Sequence, residues 1–331
     1  MTDYCLFGAD TSPYSLKVRA FLRYKGLAFE WISRSRANES DFQANAQRVA
    51  TVPLLVSPNR PVSQDSTAML AALEADHPEP SAVPDDPACA VIALVLEDYG
   101  DEWLNKCMFL QRWGQSPDRE AAALRVLIQL YDGKRPRAYK AQKVQIAERM
   151  AARLPLVGAD AENRETLDSS WRRFALRLND HLRDHLFIFG GRPSVADFAI
   201  AAQFQQMLLD STPADWLQDN APFVVAWCEH MEDPHAGGPF EDLAALSETL
   251  APLFEDELSV TYLPWASANA ASASRDKNRF SATLGNGVFE QSTQRYAARA
   301  FRAVRSAVAK SSDNAALQDF LAAVGALKYL S

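Results

Sequence analysis

The sequence predicts an α+β domain, then an all-α domain, then a short C-terminal extension that mixes helix with a β-hairpin. Three observations lead there. Short apolar runs broken by glycine and proline fill the first 77 residues, a proline-rich segment follows at 77–87, and alanine- and leucine-rich helical periodicity takes over beyond it. At 331 residues the chain has room for two or more domains.

In order along the chain, Tyr4-Cys5-Leu6-Phe7 is a buried-strand pattern closed by Gly8. Ser12 can cap a helix and Pro13 can sit in its first turn. Val18, Phe21 and Leu22 recur at helical spacing, and Gly26 supplies the stop. A second strand reads at 29–32, and the polar stretch 34–48 carries a short helix at best. Thr51 to Val56 is a strand begun through Pro53. The turn residues Ser57-Pro58-Asn59-Arg60 then call for a hairpin partner at Pro61-Val62. Ser63 to Ser66 opens a helix that runs through Leu73. The order to this point is βαβ(α)ββα.

His77 to Pro87 contains Pro78, Pro80, Pro84 and Pro87 and reads as a linker, because proline lacks the amide donor and helical tolerance of a regular element. Helices are expected at 88–114, 118–132, 140–153, 163–186, 195–209 and 223–233. From about Glu255 the character changes again: a helix at 258–274, a hairpin turning at Gly285-Asn286-Gly287, and helices at 293–310 and 315–321. The expected domains are therefore 1–77, 88–254 and 255–331.

Composition narrows the function. A net charge of −8 gives no overall footprint for nucleic acid, and the arginines at 295, 299, 302 and 305 read as one solvated helix face. The N-terminal residues lack a basic, apolar secretion signal, and no apolar run reaches the roughly 18 residues a spanning helix needs. A cytoplasmic protein without membrane partners is the expectation. Cys5, Cys89, Cys107 and Cys228 are scattered, which fits buried thiols and argues against disulfides or structural zinc. His181 and His185 share a helix face but lack a third ligand nearby, so no metal is expected.

Three places carry chemistry. Ser12 places a hydroxyl beside the positive end of a helix, where a bound thiolate could accept its hydrogen bond; it can equally be a plain cap. Val52-Pro53 precedes a strand, where a cis bond would leave the backbone of Val52 free to pair with an extended peptide. Gln64-Asp65-Ser66 opens another helix, whose amides could meet a carboxylate while Asp65 meets an ammonium; a simple cap is again the alternative.

Together, Ser-Pro-Tyr-Ser-Leu-Lys-Val-Arg, Ala-Thr-Val-Pro-Leu-Leu and Gln-Asp-Ser-Thr, followed by a linker and a helical domain, resemble the glutathione S-transferase superfamily. Gly191 to Phe198 resembles that family's folding motif, with Ser194 and Asp197 as a capping box. The resemblance covers roughly residues 4 to 235. It implies a thioredoxin-like first domain (βαβαββα), glutathione as cosubstrate and a homodimer. It implies Ser12 as the residue that activates the glutathione thiol, Val52 and a cis Pro53 against the cysteinyl backbone, and Asp65 and Ser66 at the γ-glutamyl end. The family's tyrosine would fall near Phe7, which has no hydroxyl. Tyr14 is expected to pack or to line the pocket. The loop also resembles the Cys-Pro-Tyr-Cys of glutaredoxins with serine at both positions, which disfavours disulfide exchange.

The expected activity is addition of the glutathione thiolate to an apolar electrophile. Glutathione-assisted isomerisation, ether cleavage or dehalogenation is the enzymatic alternative, and a non-catalytic binding or scaffold protein of the same fold is the other. Trp103, Met108, Phe109 and Trp113 are candidates for the second-substrate pocket, though such aromatic spacing first predicts core. Arg34, Arg36, Gln47 and Arg48 all remain open for the glycyl carboxylate, and residues 255–331 have no counterpart in the family.

Overall fold

The computed structural model describes residues 4–46, 50–58, 60–285 and 287–331. The first domain runs β1 (Tyr4–Gly8), α1 (Pro13–Tyr24), β2 (Phe29–Ser33), α2 (Glu39–Asn45), β3 (Leu54–Ser57), β4 (Arg60–Ser63) and α3 (Ser66–Asp76). Its sheet has the order β2-β1-β3-β4, with β1 and β2 parallel and the other pairs antiparallel. This is the thioredoxin-like arrangement expected. Gly26 ends α1 with a φ of +64°, a left-handed conformation that glycine adopts without a Cβ penalty. Gly8 meets a different constraint: a Cβ there would lie 2.2 Å from the ring of Trp31 on the neighbouring strand.

Helices then dominate: α4 (Pro87–Tyr99), α5 (Asn105–Trp113), α6 (Asp118–Leu130), α7 (Tyr139–Ala151), α8 (Arg164–His181), α9 (Val195–Met207), α10 (Ser211–Asn220) and α11 (Pro222–His230). The first two form one helical run joined by a wider π-type turn, Gly100–Leu104. Helix α10 was not foreseen, because Pro213 and a polar first turn hide its short apolar face. Helix α8 stops five residues before the expected end at 186, its last turn closing at His181.

The next run begins earlier than expected. Helix α12 (Leu243–Leu253) passes through a second π-type turn, Phe254–Tyr262, into α13 (Leu263–Ser274), so helix continues unbroken across residue 255. Pro252, in the last turn of α12, interrupts the sequence pattern without breaking the helix. A two-stranded hairpin follows, β5 (Arg279–Leu284) with β6 (Gly287–Ser292), then α14 (Arg295–Lys310), α15 (Ala315–Ala323) and α16 (Leu327–Leu330).

One core joins all three parts. Leu6 and Phe21 of the first domain, Trp103, Trp171 and Phe198 of the helical domain, and Trp265, Phe289, Phe301 and Leu321 of the extension belong to a single buried cluster. The extension is also held by buried polar bonds: the Tyr262 hydroxyl donates to Asp98, and Glu257 takes hydrogen bonds from Ser170 and from Arg173, the latter at 2.7 Å. The helical domain carries the expected capping box, with the Ser194 amide and hydroxyl both donating to Asp197 Oδ2 at 2.9 and 2.8 Å. Asp197 also accepts from the Ile188 amide at 2.9 Å, which ties the preceding loop to the start of α9.

Candidate active site: a cleft walled by three regions

The β1–α1 loop places Ser12 at the N-terminus of α1. Its Oγ accepts from the Ser15 amide at 3.3 Å, so it is a helix cap whose own proton remains free to donate. Ser15 has the opposite fate: it is fully buried and its hydroxyl accepts from the Ala9 amide at 3.2 Å. The second serine therefore shapes the loop. The helical domain grips the same loop, with Arg112 donating to the Thr11 carbonyl at 3.1 Å and Gln206 to the Asp10 carbonyl at 2.9 Å.

The Val52-Pro53 bond is cis, and Val52 lies just before β3, outside its ladder. The Gln64 side chain donates to the Thr51 carbonyl at 2.8 Å and so fixes this bend to the start of α3. Asp65 is the N-cap of α3, Oδ1 accepting from the Ala68 amide at 3.3 Å. Its other oxygen is taken by the extension: Tyr296 donates its hydroxyl to Oδ2 at 2.7 Å, and Arg299 stands 3.9 Å away. Ser66 is the first residue of α3 and is buried.

These separated stretches meet in one cleft of about 450 Å³. Tyr14, Val52, Pro53, Asp65 and Ser66 form the first-domain wall, Glu102, Asn105 and Lys106 the facing helical wall, and Gln294 and Tyr296 the end wall from the extension. Ser12 is not part of the lining, although Tyr14, two residues on, is. Tyr14 donates its hydroxyl to the Asp101 carbonyl at 2.8 Å, and burial holds the phenol neutral by raising its pKa. It is a wall and a link between domains. A larger cavity of about 610 Å³ lies elsewhere against α1, lined by Arg19, Arg125 and Gln129, and contains none of the expected glutathione residues.

Behind the cleft a buried ion cluster locks the two domains together. Lys17 of α1 donates to Glu97 and to Asp101, each at 2.6 Å, with Thr67 of α3 completing the group. Burial works against the Lys17 charge, but the two carboxylates outweigh it and raise its pKa. Glu102 and Lys106, one turn apart, are both pushed toward neutrality by burial, Glu102 up to about 7 and Lys106 down to about 8, each opposed by its partner's charge.

The glycyl-carboxylate candidates separate. Arg34 is spent on Glu39, at 2.8 and 3.1 Å, and on the Ala50 carbonyl at 2.7 Å. Arg36 stacks on Tyr131 and bonds its hydroxyl, and neither arginine lines the cleft. Gln47 and Arg48 lie outside the described residues. Trp103, Met108 and Trp113 are core: Trp103 packs between Trp265 and Phe289, and Trp113 anchors a separate cluster with Leu127 and Ile146. His181 uses both ring nitrogens, toward Thr249 Oγ1 and the Ile188 carbonyl, each at 2.9 Å.

Sequence reasoning missed Glu102, Lys106, Gln294 and Tyr296. The one available signal was Lys106 itself, a charge set three residues after Trp103 on a face otherwise built for burial. Gln294 and Tyr296 gave none, because they reach the cleft only through the fold of the extension.

A family model described as "Glutathione S-transferase, N-terminal domain" matches residues 6–81, and one described as "Glutathione S-transferase, C-terminal domain" matches residues 161–230. Both domains of the glutathione S-transferase superfamily are thus matched in this chain, in the family's order. Among curated proteins, a "probable glutathione S-transferase" of Oryza sativa subsp. japonica is 27% identical over 124 residues, 36% of this chain and 52% of that protein. The chain thus matches about half the length of that relative. Among solved structures, a beta-etherase of Sphingobium sp. is 21% identical, with 78% of this chain and 100% of that one covered and a TM-score of 0.48. A glutathione S-transferase of Methylobacterium radiotolerans, solved in complex with glutathione sulfonate, is 20% identical, with coverages of 72% and 95% and a TM-score of 0.42.

Proposed function

We propose that the protein is a glutathione-dependent transferase that binds glutathione in the cleft and adds its thiolate to an apolar electrophile. The observation that carries this reading is the convergence of Val52, Pro53, Asp65 and Ser66 on one wall, facing the helical domain. Val52 would pair with the cysteinyl backbone, the amides at the start of α3 would receive the γ-glutamyl carboxylate, and Asp65 would receive its ammonium. The Ser12 proton, left free by the capping bond, would stabilise the thiolate at the positive end of α1. The paired serines leave glutathione itself as the nucleophile, since neither can form a mixed disulfide. Isomerisation, ether cleavage and dehalogenation would use the same thiolate, and a substrate panel separates them.

Titration calorimetry with glutathione tests the reading: saturable binding is expected, and no heat at millimolar ligand removes it. One observation favours the non-catalytic alternative, the occupation of Asp65 by Tyr296. A homodimer that pairs the first domain of one copy with the helical domain of the other is carried over from the resemblance. Sedimentation at micromolar protein checks it, a monomer being the contrary result. Cytoplasmic placement belongs to the same proposal; among the described residues no helix is long and apolar enough to cross a membrane.

A further inference from the structure

The helical wall of the cleft holds a nearly buried lysine whose charge is met only in part. Lys106 is 4% exposed and lines the cleft opposite Val52, Pro53 and Ser66. Among the described residues no carboxylate lies within ion-pair distance of its ammonium, which donates no hydrogen bond; Glu102, one turn before it, offsets its charge only through space. Its ammonium lies over the face of Trp265, 4.4 Å from the ring centre. The Trp265 ring is itself fixed, its Nε1 donating to Gln291 Oε1 at 3.1 Å and its face set against Trp103. Lys17, the other buried lysine on this side of the molecule, shows what a structural lysine looks like here: two carboxylates at 2.6 Å. A buried ammonium is costly unless it is paired and hydrogen-bonded. A lysine left in that condition on a cleft wall has the form of a receptor for an anion that arrives with a ligand.

We propose that Lys106 selects the second substrate of the cleft, binding an anionic oxygen, a carboxylate or phenolate, carried on an otherwise apolar molecule. This rests on the glutathione reading above and makes it more specific. The apolar part has partners on the page: Val157 and Ala297 line the same cleft, and Tyr14 presents its ring. The acidic neighbours set the opposite preference at the other end. Asp65 and Asp101 lie on the wall next to Tyr296, so an anion is repelled there and drawn to Lys106, while Glu102, one turn from Lys106, is pushed toward its neutral form by burial.

The experiment compares S-(4-carboxybenzyl)glutathione with its methyl ester by calorimetry on the wild-type protein and on Lys106→Met and Lys106→Arg. The wild type is expected to bind the carboxylate about tenfold to a hundredfold tighter than the ester, the range of one charge-assisted hydrogen bond. Lys106→Met should lose that ratio while its affinity for glutathione stays within about twofold, and Lys106→Arg should keep most of it. Equal binding of carboxylate and ester by the wild type overturns the proposal. A loss of glutathione affinity in Lys106→Met overturns it differently, by assigning the lysine to glutathione's own carboxylate. If neither conjugate binds, the glutathione reading has failed by itself. The pair 4-isopropylbenzoate and 4-isopropylbenzamide then decides the lysine alone: preference for the benzoate that Lys106→Met abolishes supports it, and equal or absent binding of the two overturns it.

Discussion

At the scale of single residues, the chemistry of a side chain here follows from which of its atoms are already engaged. Ser12 caps α1 and Ser15 lies in its first turn three residues on, yet Ser15 is buried in a bond to the Ala9 amide while Ser12 keeps a proton to give. Ser12→Ala should therefore lower turnover about tenfold to a hundredfold, the loss of one hydrogen bond to a thiolate, with glutathione affinity nearly unchanged. It should also cost about 1 kcal/mol of stability as a lost cap. Steady-state kinetics beside urea unfolding checks both; undiminished turnover removes Ser12 from the mechanism.

His181 gives a pH dependence of definite sign. Burial, with the neighbouring His185 adding to it, lowers its pKa from the ordinary 6.5 to about 4, and the neutral ring satisfies both its nitrogens. The unfolded chain binds this proton more readily than the native one. The contribution is complete above about pH 6.5 and is lost as pH falls toward 4, by about 3 kcal/mol in all. Urea unfolding at pH 7, 5.5 and 4.5 should show wild type losing more stability than His181→Gln across that window. Parallel losses in the two proteins would show that another group is responsible.

At the scale of elements, α14 is the piece that changes the cleft. Its buried positions Ala297, Ala298, Phe301, Val304 and Val308 lie on one face, which seats the helix on α4 and carries Tyr296 to Asp65. Tyr296→Phe should free one lone pair of Asp65 for a ligand ammonium and tighten glutathione binding about threefold to tenfold. Because the tyrosine is half exposed, stability should change by less than about 1 kcal/mol. Weaker binding would instead make the Tyr296 hydroxyl a part of the ligand site. The junction of α1, α3 and α4 makes a second prediction. Lys17→Met strands Glu97 and Asp101 in the interior and should cost about 3–5 kcal/mol, read as a lower urea midpoint. A loss below about 1 kcal/mol would mean that water reaches the cluster.

For the whole molecule, the extension behaves as part of the core. Phe289, Phe301, Leu317 and Leu321 are all within the main buried cluster. At about 1.5–3 kcal/mol for each fully buried side chain, these four supply roughly 6–12 kcal/mol, comparable to the 5–15 kcal/mol that holds a typical domain folded. A chain ended at residue 278 should therefore lose its cooperative thermal transition, and a transition near the wild-type temperature would show that residues 1–278 stand alone.

The sequence by itself determined the local units and their order. Strand periods, the Ser12 and Asp65 caps, the proline before β3 and the capping box at Ser194 are decided by a few neighbouring residues, so a linear reading reaches them. It favoured packing over the pocket for Trp103 and Trp113, and both are core, but it did not pick out Lys106 of α5 as a cleft residue. Tertiary structure decided what those units face. The wide turns at Gly100–Leu104 and Phe254–Tyr262, the arrival of Tyr296 at Asp65 and the isolation of Lys106 against Trp265 depend on contacts between residues more than 150 apart in the last two cases. Burial and charge pairing are properties of the assembled interior, and no local pattern encodes which buried lysine will find a carboxylate and which will be left facing a cleft.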